Sequence, residues 1–416
     1  MKKLISRLTT ILLVATLVLG CMTGCGNSND SKTGNNSGSG ETKTSSDIKI
    51  GLICLHDENS TYDLNFINSV QEVKKKLGLS DDQVIIKKNI PESNECRESA
   101  FDLADRGCNV IFADSFGHEP YILEAAAKYP DVQFCHSTGT LAHTEKKSNF
   151  HDAFSSIYEG RYLAGIAAGM KLNEMIQSGK ITAEQAVIGY VGAYTYAEVI
   201  SGYTSFYLGA KSVCPTVTMK VQFTGSWYDE TAEKEAATKL ISDGCVLISQ
   251  HADSMGAPTA CENAGVPNIS YNGSTVDACP NTFIVSSRID WAPYYEYVIK
   301  SVMEGKELAY DWVGTLADGS VKLTAVNTKA AAAGTQEAID KAAEDLKAGK
   351  IHVFDTNNFT VGGKKLDSYM ADVDTDDKYT PDTEVIKDGY FHESEYRSAP
   401  YFDLRIDGIT TLNEMF

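Results

Sequence analysis

From residue 48 onward, short apolar runs alternate with amphipathic stretches. The apolar runs are Ile48 to Cys54, Val84 to Lys88, Val110 to Ala113, Val132 to Cys135, Val187 to Val191, Val217 to Phe223, Val246 to Ser249 and Phe283 to Val285. They are short, β-branched and bounded by polar or glycine-containing segments, which predicts strands. Between them the spacing predicts helices over Asn65 to Leu77, Glu95 to Arg106, Glu119 to Lys128, Ile157 to Leu172, Ala197 to Val213, Glu230 to Asp243, Pro258 to Ala264 and Trp291 to Glu304. Strands apolar throughout, alternating with helices, predict parallel sheets covered on both faces.

The alternation runs once to about residue 154 and restarts to about residue 281. The predicted fold is α/β, with two doubly wound, Rossmann-like lobes and a hinge. Residues 48–154 plus 283–356 are expected to form the first lobe and 155–282 the second. The polar, weakly periodic segment 357–416 is expected as a C-terminal extension on the first lobe. The small residues Ala164, Gly165, Ala167, Ala168 and Gly169 follow Glu159-Gly160-Arg161 and predict close helix packing.

The first 47 residues change the picture. Lys2, Lys3 and Arg7 precede an apolar run from Ile11 to Leu19, which has secretory proportions and is too short for a stable span. Residues 1–25 are read as a lipoprotein signal peptide with Cys25 as the lipidation site and Cys21 as the alternative, each preceded by glycine. Residues 26–47 have almost no apolar side chain and read as a flexible tether with a reach of about 25 Å. The expectation is a lipid-anchored body on the extracytoplasmic face of a cell membrane. The formal net charge of −19 becomes three units more negative once the leader's cations are removed, and such a surface repels nucleic acid. Eight further cysteines show no C-x-x-C spacing, so a metal or redox motif is not expected, and no cofactor is. Cys54, Cys135 and Cys245 read as small buried hydrophobes.

In doubly wound folds ligands sit beyond the carboxyl ends of strands, so the loops there carry the candidate chemistry. The loop after the first strand holds Asp57, Asn59 and Tyr62; the loop after the third holds Ser115 and Phe116. In the second half, Trp227 follows the Val217 run, and Gln250-His251-Ala252-Asp253-Ser254 follows the Val246 run. Asn272 and Arg288 add later polar positions. Rings beside Asp, Asn and Ser suit a flat, partly polar ligand. Plainer roles stand beside these: Tyr62 at a helix start, Phe116 as core, Trp227 as lobe packing, Asp229 as an N-cap and His251 as a satisfied loop histidine. No G-x-S-x-G elbow, P-loop or Rossmann phosphate turn occurs, so binding without turnover is the expectation.

These residues resemble the basic membrane protein family, the purine-binding lipoproteins of ABC importers. The resemblance spans residues 48–354. It is carried by Ile50-Gly51-Leu52-Ile53, Ser115-Phe116-Gly117, Tyr129-Pro130-Asp131-Val132-Gln133-Phe134, Tyr158-Glu159-Gly160-Arg161-Tyr162-Leu163-Ala164-Gly165, Gly225-Ser226-Trp227-Tyr228-Asp229, Gln250-His251-Ala252-Asp253-Ser254 and Trp291-Ala292-Pro293-Tyr294-Tyr295. It implies a type I periplasmic-binding-protein fold, two lobes with three crossings, closing on a purine base or nucleoside. The family's two clamping rings fall on Tyr62 and Trp227. The places of the acidic residue and lysine that hold ribose in nucleoside-binding members fall on Asn272 and Arg288, so the resemblance favours a free base such as adenine. Ser115, Asp253 and Asn272 then become candidate readers of its edge. An ABC permease and ATPase are the implied partners, and a monomer is expected, in keeping with a capture role. A sugar ligand on the same fold, a surface sensor or adhesion lipoprotein without transport, and a hydrolase are the competing functions.

Overall fold

The computed structural model describes residues 47–373, 378 and 380–416. The predicted signal peptide, both candidate lipidation cysteines and all but the last tether residue lie outside them. No helix among the described residues is long and apolar enough to cross a membrane.

The first lobe opens with β1 (Ile50–Ile53), α1 (Thr61–Leu77), β2 (Val84–Lys87), α2 (Asn94–Asp105), β3 (Val110–Ala113), α3 (Glu119–Lys128), β4 (Gln133–Ser137), α4 (Ala142–Glu145) and β5 (Phe150–Ser155). The chain then crosses to α5 (Ile157–Gln177), β6 (Val187–Gly192), α6 (Ala197–Val213), β7 (Thr218–Phe223), α7 (Glu230–Ser242), β8 (Leu247–His251), α8 (Gly256–Ala264), β9 (Asn268–Tyr271) and β10 (Phe283–Ile289). It returns through α9 (Ala292–Met303) and β11 (Asp311–Gly314), then crosses again to β12 (Val321–Leu323) and α10 (Thr335–Lys347). The extension contributes β13 (Met370–Ala371), β14 (Thr383–Glu384), β15 (Ile386–Lys387), β16 (Tyr390–Phe391) and β17 (Ile409–Thr411).

The first sheet has the order β11-β5-β4-β3-β1-β2 and is parallel throughout. The second has the order β12-β10-β9-β8-β6-β7-β17 and is parallel except for the antiparallel β10–β12 edge. Sheet strands such as Ile50–Ile53 and Val110–Ala113 are buried on both faces, as continuous apolar runs require. Three crossings join the lobes: between β5 and α5, between β10 and α9, and between β11 and β12.

Two expectations need correction. Residues 283–356 do not all belong to the first lobe: β10 pairs in parallel with β9, β12 pairs with β10 and α10 packs on α5, so only α9, which packs on α1, and β11 return to it. The extension does not sit on the first lobe alone: β17 pairs with β7 and lengthens the second sheet, because β7 would otherwise expose an unpaired edge.

Helix α5 packs tightly against α6, and glycine makes that approach possible. A Cβ on Gly165 would lie 2.0 Å from the Phe206 carbonyl oxygen, and one on Gly209 would lie 2.0 Å from that of Tyr162. Beneath α5, Arg161 is fully buried, with Nη2 donating to the Tyr190 hydroxyl and to Ser249 Oγ, both at 2.9 Å. Its guanidinium also lies 4.8 Å from the Phe206 ring and 5.2 Å from that of Tyr271, so rings and hydroxyls together offset the cost of burying the charge.

Candidate functional site

The carboxyl ends of the two sheets face one cleft of about 380 Å³, part of it open to solvent. Helix α1 brings in the first lobe's main contribution. Ser60 caps it by accepting the Asp63 N–H, while Ser60 Oγ donates back to Asp63 Oδ2 at 2.6 Å. That cap sets Tyr62 at the cleft wall. Its phenol donates to the Asp114 carbonyl at 2.8 Å, and its ring meets Phe66 edge-on at 4.9 Å. Phe66 in turn stacks on the buried Trp291 at 4.4 Å, so the Tyr62 ring rests on a rigid apolar base.

Trp227 lines the opposite wall, in the loop between β7 and α7. Tyr194 meets its edge at 5.2 Å, and Tyr194 stacks on Tyr196 at 5.1 Å. The Trp227 carbonyl accepts the Asp253 N–H at 3.0 Å, which couples this loop to the one after β8. Across the mouth, Phe116 of the first lobe lies 5.2 Å from Tyr196 of the second. The lobes also meet where the Thr61 N–H donates to the Asp253 carbonyl at 3.1 Å and Asn65 Nδ2 to the Asn272 carbonyl at 3.2 Å.

Polar groups line the space between the rings. Ser115 donates to Glu92 Oε1 at 2.6 Å, and its carbonyl takes His136 Nε2 at 2.7 Å. Burial holds His136 down to about 3, so its ring is neutral and this bond assigns the proton to Nε2. Burial, with Glu233 and Asp63 nearby, pushes the Asp253 carboxyl well above the usual range, and Asn272 Nδ2 donates to its Oδ1 at 3.2 Å. A protonated Asp253 presents one donor and one acceptor side by side. Glu198, in the first turn of α6, takes His251 Nε2 at 3.3 Å. His251 is itself buried and held below its ordinary value by desolvation.

Of the residues singled out from sequence, Tyr62, Ser115, Phe116, Trp227, His251 and Asp253 line this cleft. Asp57, Asn59, Ser254, Asn272 and Arg288 do not. Asp57 Oδ1 accepts the Asn59 backbone and side-chain N–H groups, so this pair closes its own surface turn. Ser254 is turned into the second lobe, its N–H donating to Glu233 and its hydroxyl accepting the Gly256 N–H. Asn272 stands behind Asp253, and Arg288 pairs with Asp290 at 3.6 Å on another face. Asp229 caps α7 by accepting the Ala232 N–H, as expected.

Sequence reasoning left Thr138, Glu198 and Tyr271 unassigned, yet all three line the cleft. Thr138 follows β4 and has a left-handed backbone, φ 68°, a strand-end signal of the kind used for the other loops. Glu198 looks like an ordinary acidic residue in a helix's first turn.

Two buried sets of ligand-type side chains occur among the described residues: Cys54, Asp63 and Asp114, and Glu119, His136 and Asp152. Their oxygens mainly serve loop N–H groups. Asp63 takes that of His56, Glu119 those of Thr140 and Leu141, and Asp152 those of Leu141 and Ala142.

Comparison with known proteins places this geometry in a family. Residues 52–355 match the family model described as ABC transporter substrate-binding protein, PnrA-like. A purine-binding protein of Brucella abortus is 31% identical over 280 residues, covering 67% of this chain and 73% of its own. A putative ABC transporter glucose-binding protein of Haloferax volcanii is 31% identical over 272 residues, covering 64% of this chain and 65% of its own. A solute-binding protein structure from Aeropyrum pernix superposes with a TM-score of 0.61 at 17% identity, covering 74% of this chain and 93% of that one, a likeness of fold. With the two parallel-sheet lobes and a cleft at their strand ends, the match over residues 52–355 makes this chain a member of the PnrA-like family of ABC transporter substrate-binding proteins.

Proposed function

We propose that this protein captures a purine ring outside the cytoplasmic membrane and delivers it to an ABC permease and its ATPase. The carrying observation is that Tyr62 and Trp227, from opposite lobes, line one cleft with Asp253 between the strand ends. A planar heterocycle slotted between two rings gains about 0.5–1.5 kcal/mol per aromatic pair beyond area burial. Burial disfavours the charged form of the Asp253 carboxyl; in its protonated form it would match an edge that offers an acceptor beside a donor, as adenine does, and Ser115 stands on the other lobe to add a hydroxyl. Hinge closure would then bring both rings onto the base. The body is held near the membrane by acyl chains on Cys25, with Cys21 as the alternative, through the polar tether.

A second reading has its own support. The Haloferax relative is described as glucose-binding, and stacking rings with Asp and Asn also suit a pyranose. A thermal-shift panel of adenine, guanine, hypoxanthine, their nucleosides and common hexoses separates the two, since a true ligand raises the melting temperature by mass action. The expected result is stabilisation by purines alone. Stabilisation by a hexose and not by any purine overturns the proposal.

A further inference from the structure

The aromatic wall of the second lobe is gripped by a segment far from it in sequence. Strand β7 ends at Phe223, and the loop that follows carries Trp227. Alternate residues of a strand turn their N–H and carbonyl toward one neighbour. On the outer edge of β7 these are Met219, Val221 and Phe223. The β17 segment serves the first two: the Met219 N–H donates to the Gly408 carbonyl at 2.9 Å, and the Val221 carbonyl accepts the Leu412 N–H at 2.8 Å. At Phe223 the backbone ladder stops and the Asn413 side chain replaces it. Its Oδ1 accepts the Phe223 N–H at 2.8 Å, and its Nδ2 donates to the Phe223 carbonyl at 2.9 Å. A primary amide carries an acceptor beside a donor, so it stands in for a strand residue.

Two residues on, Met415 holds the neighbouring loop. Its N–H donates to Thr195 Oγ1 at 2.8 Å, and its carbonyl accepts the Thr195 N–H at 2.7 Å. Thr195 lies between Tyr194 and Tyr196, whose rings stand 5.2 and 6.1 Å from that of Trp227. The Met415 side chain lies over Gly225, where a Cβ would meet its Sδ at 3.5 Å. Gly225 has φ 79°, so glycine supplies the turn before Trp227 but gives it little stiffness of its own.

We infer that Asn413 and Met415 are positioning residues for the aromatic wall: they fix both of its loops, so that the Trp227 indole stands in place before a flat ligand arrives. Neither residue lines the cleft, and both lie past residue 355, where the family match stops. A wall ordered in advance spares the ligand the cost of ordering it. This rests on the purine reading above and adds the residues that hold its wall.

The test uses the full chain with adenine as the probe. Asn413→Ala removes both bonds to Phe223. Thr195→Val keeps the side-chain shape but drops the acceptor of the Met415 N–H. Calorimetry should show the Kd for adenine rising at least ~10-fold in each. Thr195→Ser, which keeps the hydroxyl, should recover most of the loss seen in Thr195→Val. Acrylamide quenching of the ligand-free proteins, each compared with its own Trp227→Phe form, should show the indole more accessible in Asn413→Ala and Thr195→Val. A lowered urea midpoint with quenching unchanged would make these contacts ordinary scaffold and overturn the assignment. So would adenine affinity within ~3-fold of wild type in both variants. Should Asn413→Ala not fold, the two Thr195 variants decide. If wild type binds no purine, the purine reading fails, and quenching alone still upholds or overturns the grip on Trp227.

Discussion

Removing the Trp227 indole tests the cleft where its energy is concentrated. Trp227 is half-buried, with Tyr194 against its edge and the cleft beside it. One face of a large aromatic covers about a third of the ~150–250 Å² such a side chain buries, so the ligand would shield roughly 50–80 Å² of indole. At ~25 cal/mol/Å² this is worth about 1–2 kcal/mol, and ring–ring geometry adds ~0.5–1.5 kcal/mol. Trp227→Ala should therefore cost ~2–3.5 kcal/mol of binding, a ~30- to 300-fold rise in Kd for the preferred purine. Isothermal titration of wild type and variant reads this directly. Urea unfolding of the ligand-free variant should show a loss of no more than about 1 kcal/mol, since the loop backbone is held independently through the Trp227 carbonyl and Asp253 N–H. A folded variant that binds purine within threefold of wild type would refute the assignment of this wall.

The remaining predictions concern the scaffold. Gly209→Ala would drive a methyl to 2.0 Å from the Tyr162 carbonyl oxygen, and because a helix backbone cannot give way, a loss of about 3 kcal/mol in urea unfolding is expected; an unchanged midpoint would contradict the close α5–α6 contact. Glu393 is buried beside Ser201 and Ser394, and burial raises its carboxyl from 4.5 to about 7. A raised acid lends stability that is complete below the unfolded value and fades as pH climbs toward about 7, on the order of 3 kcal/mol here. Wild type should thus lose more stability than Glu393→Gln between pH 5 and 7.5, and parallel declines would count against it.

How much of this was legible in sequence follows the distribution of polar residues. Helices α3 and α6 begin and end where the periodicity places them, at Glu119–Lys128 and Ala197–Val213. Strands β5 and β9 were passed over. Phe150–Ser155 is interrupted by His151 and Asp152, and Asn268–Tyr271 is half polar, yet both strands are buried. The polar side chains there find partners across the fold: His151 meets the Ala309 carbonyl and Gln133, and Asn268 donates to the Ile248 carbonyl and Gln250. A hydropathy pattern cannot register such partners, because they come from distant segments.

The candidate site divides in the same way. Aromatic residues at strand ends, Tyr62, Phe116 and Trp227, were visible because an exposed ring in a loop is conspicuous. Asp57 and Asn59 misled because a strand-end loop of eight residues has two sides, and the Asx turn they form takes the solvent side. Glu198 was invisible for the opposite reason: its sequence neighbourhood describes a helix start, and only the packing of α6 brings it to the cleft. The extension lacked any strong period because it folds as short bridges and turns anchored one contact at a time.

A crystal structure of the chain purified with its bound small molecule tests the central claim most directly. The expected ligand is a purine whose two faces are covered by the rings of Tyr62 and Trp227, with Asp253 in hydrogen-bond contact with its edge. A ligand seated elsewhere, or a sugar held in the cleft without those two rings against its faces, would contradict it.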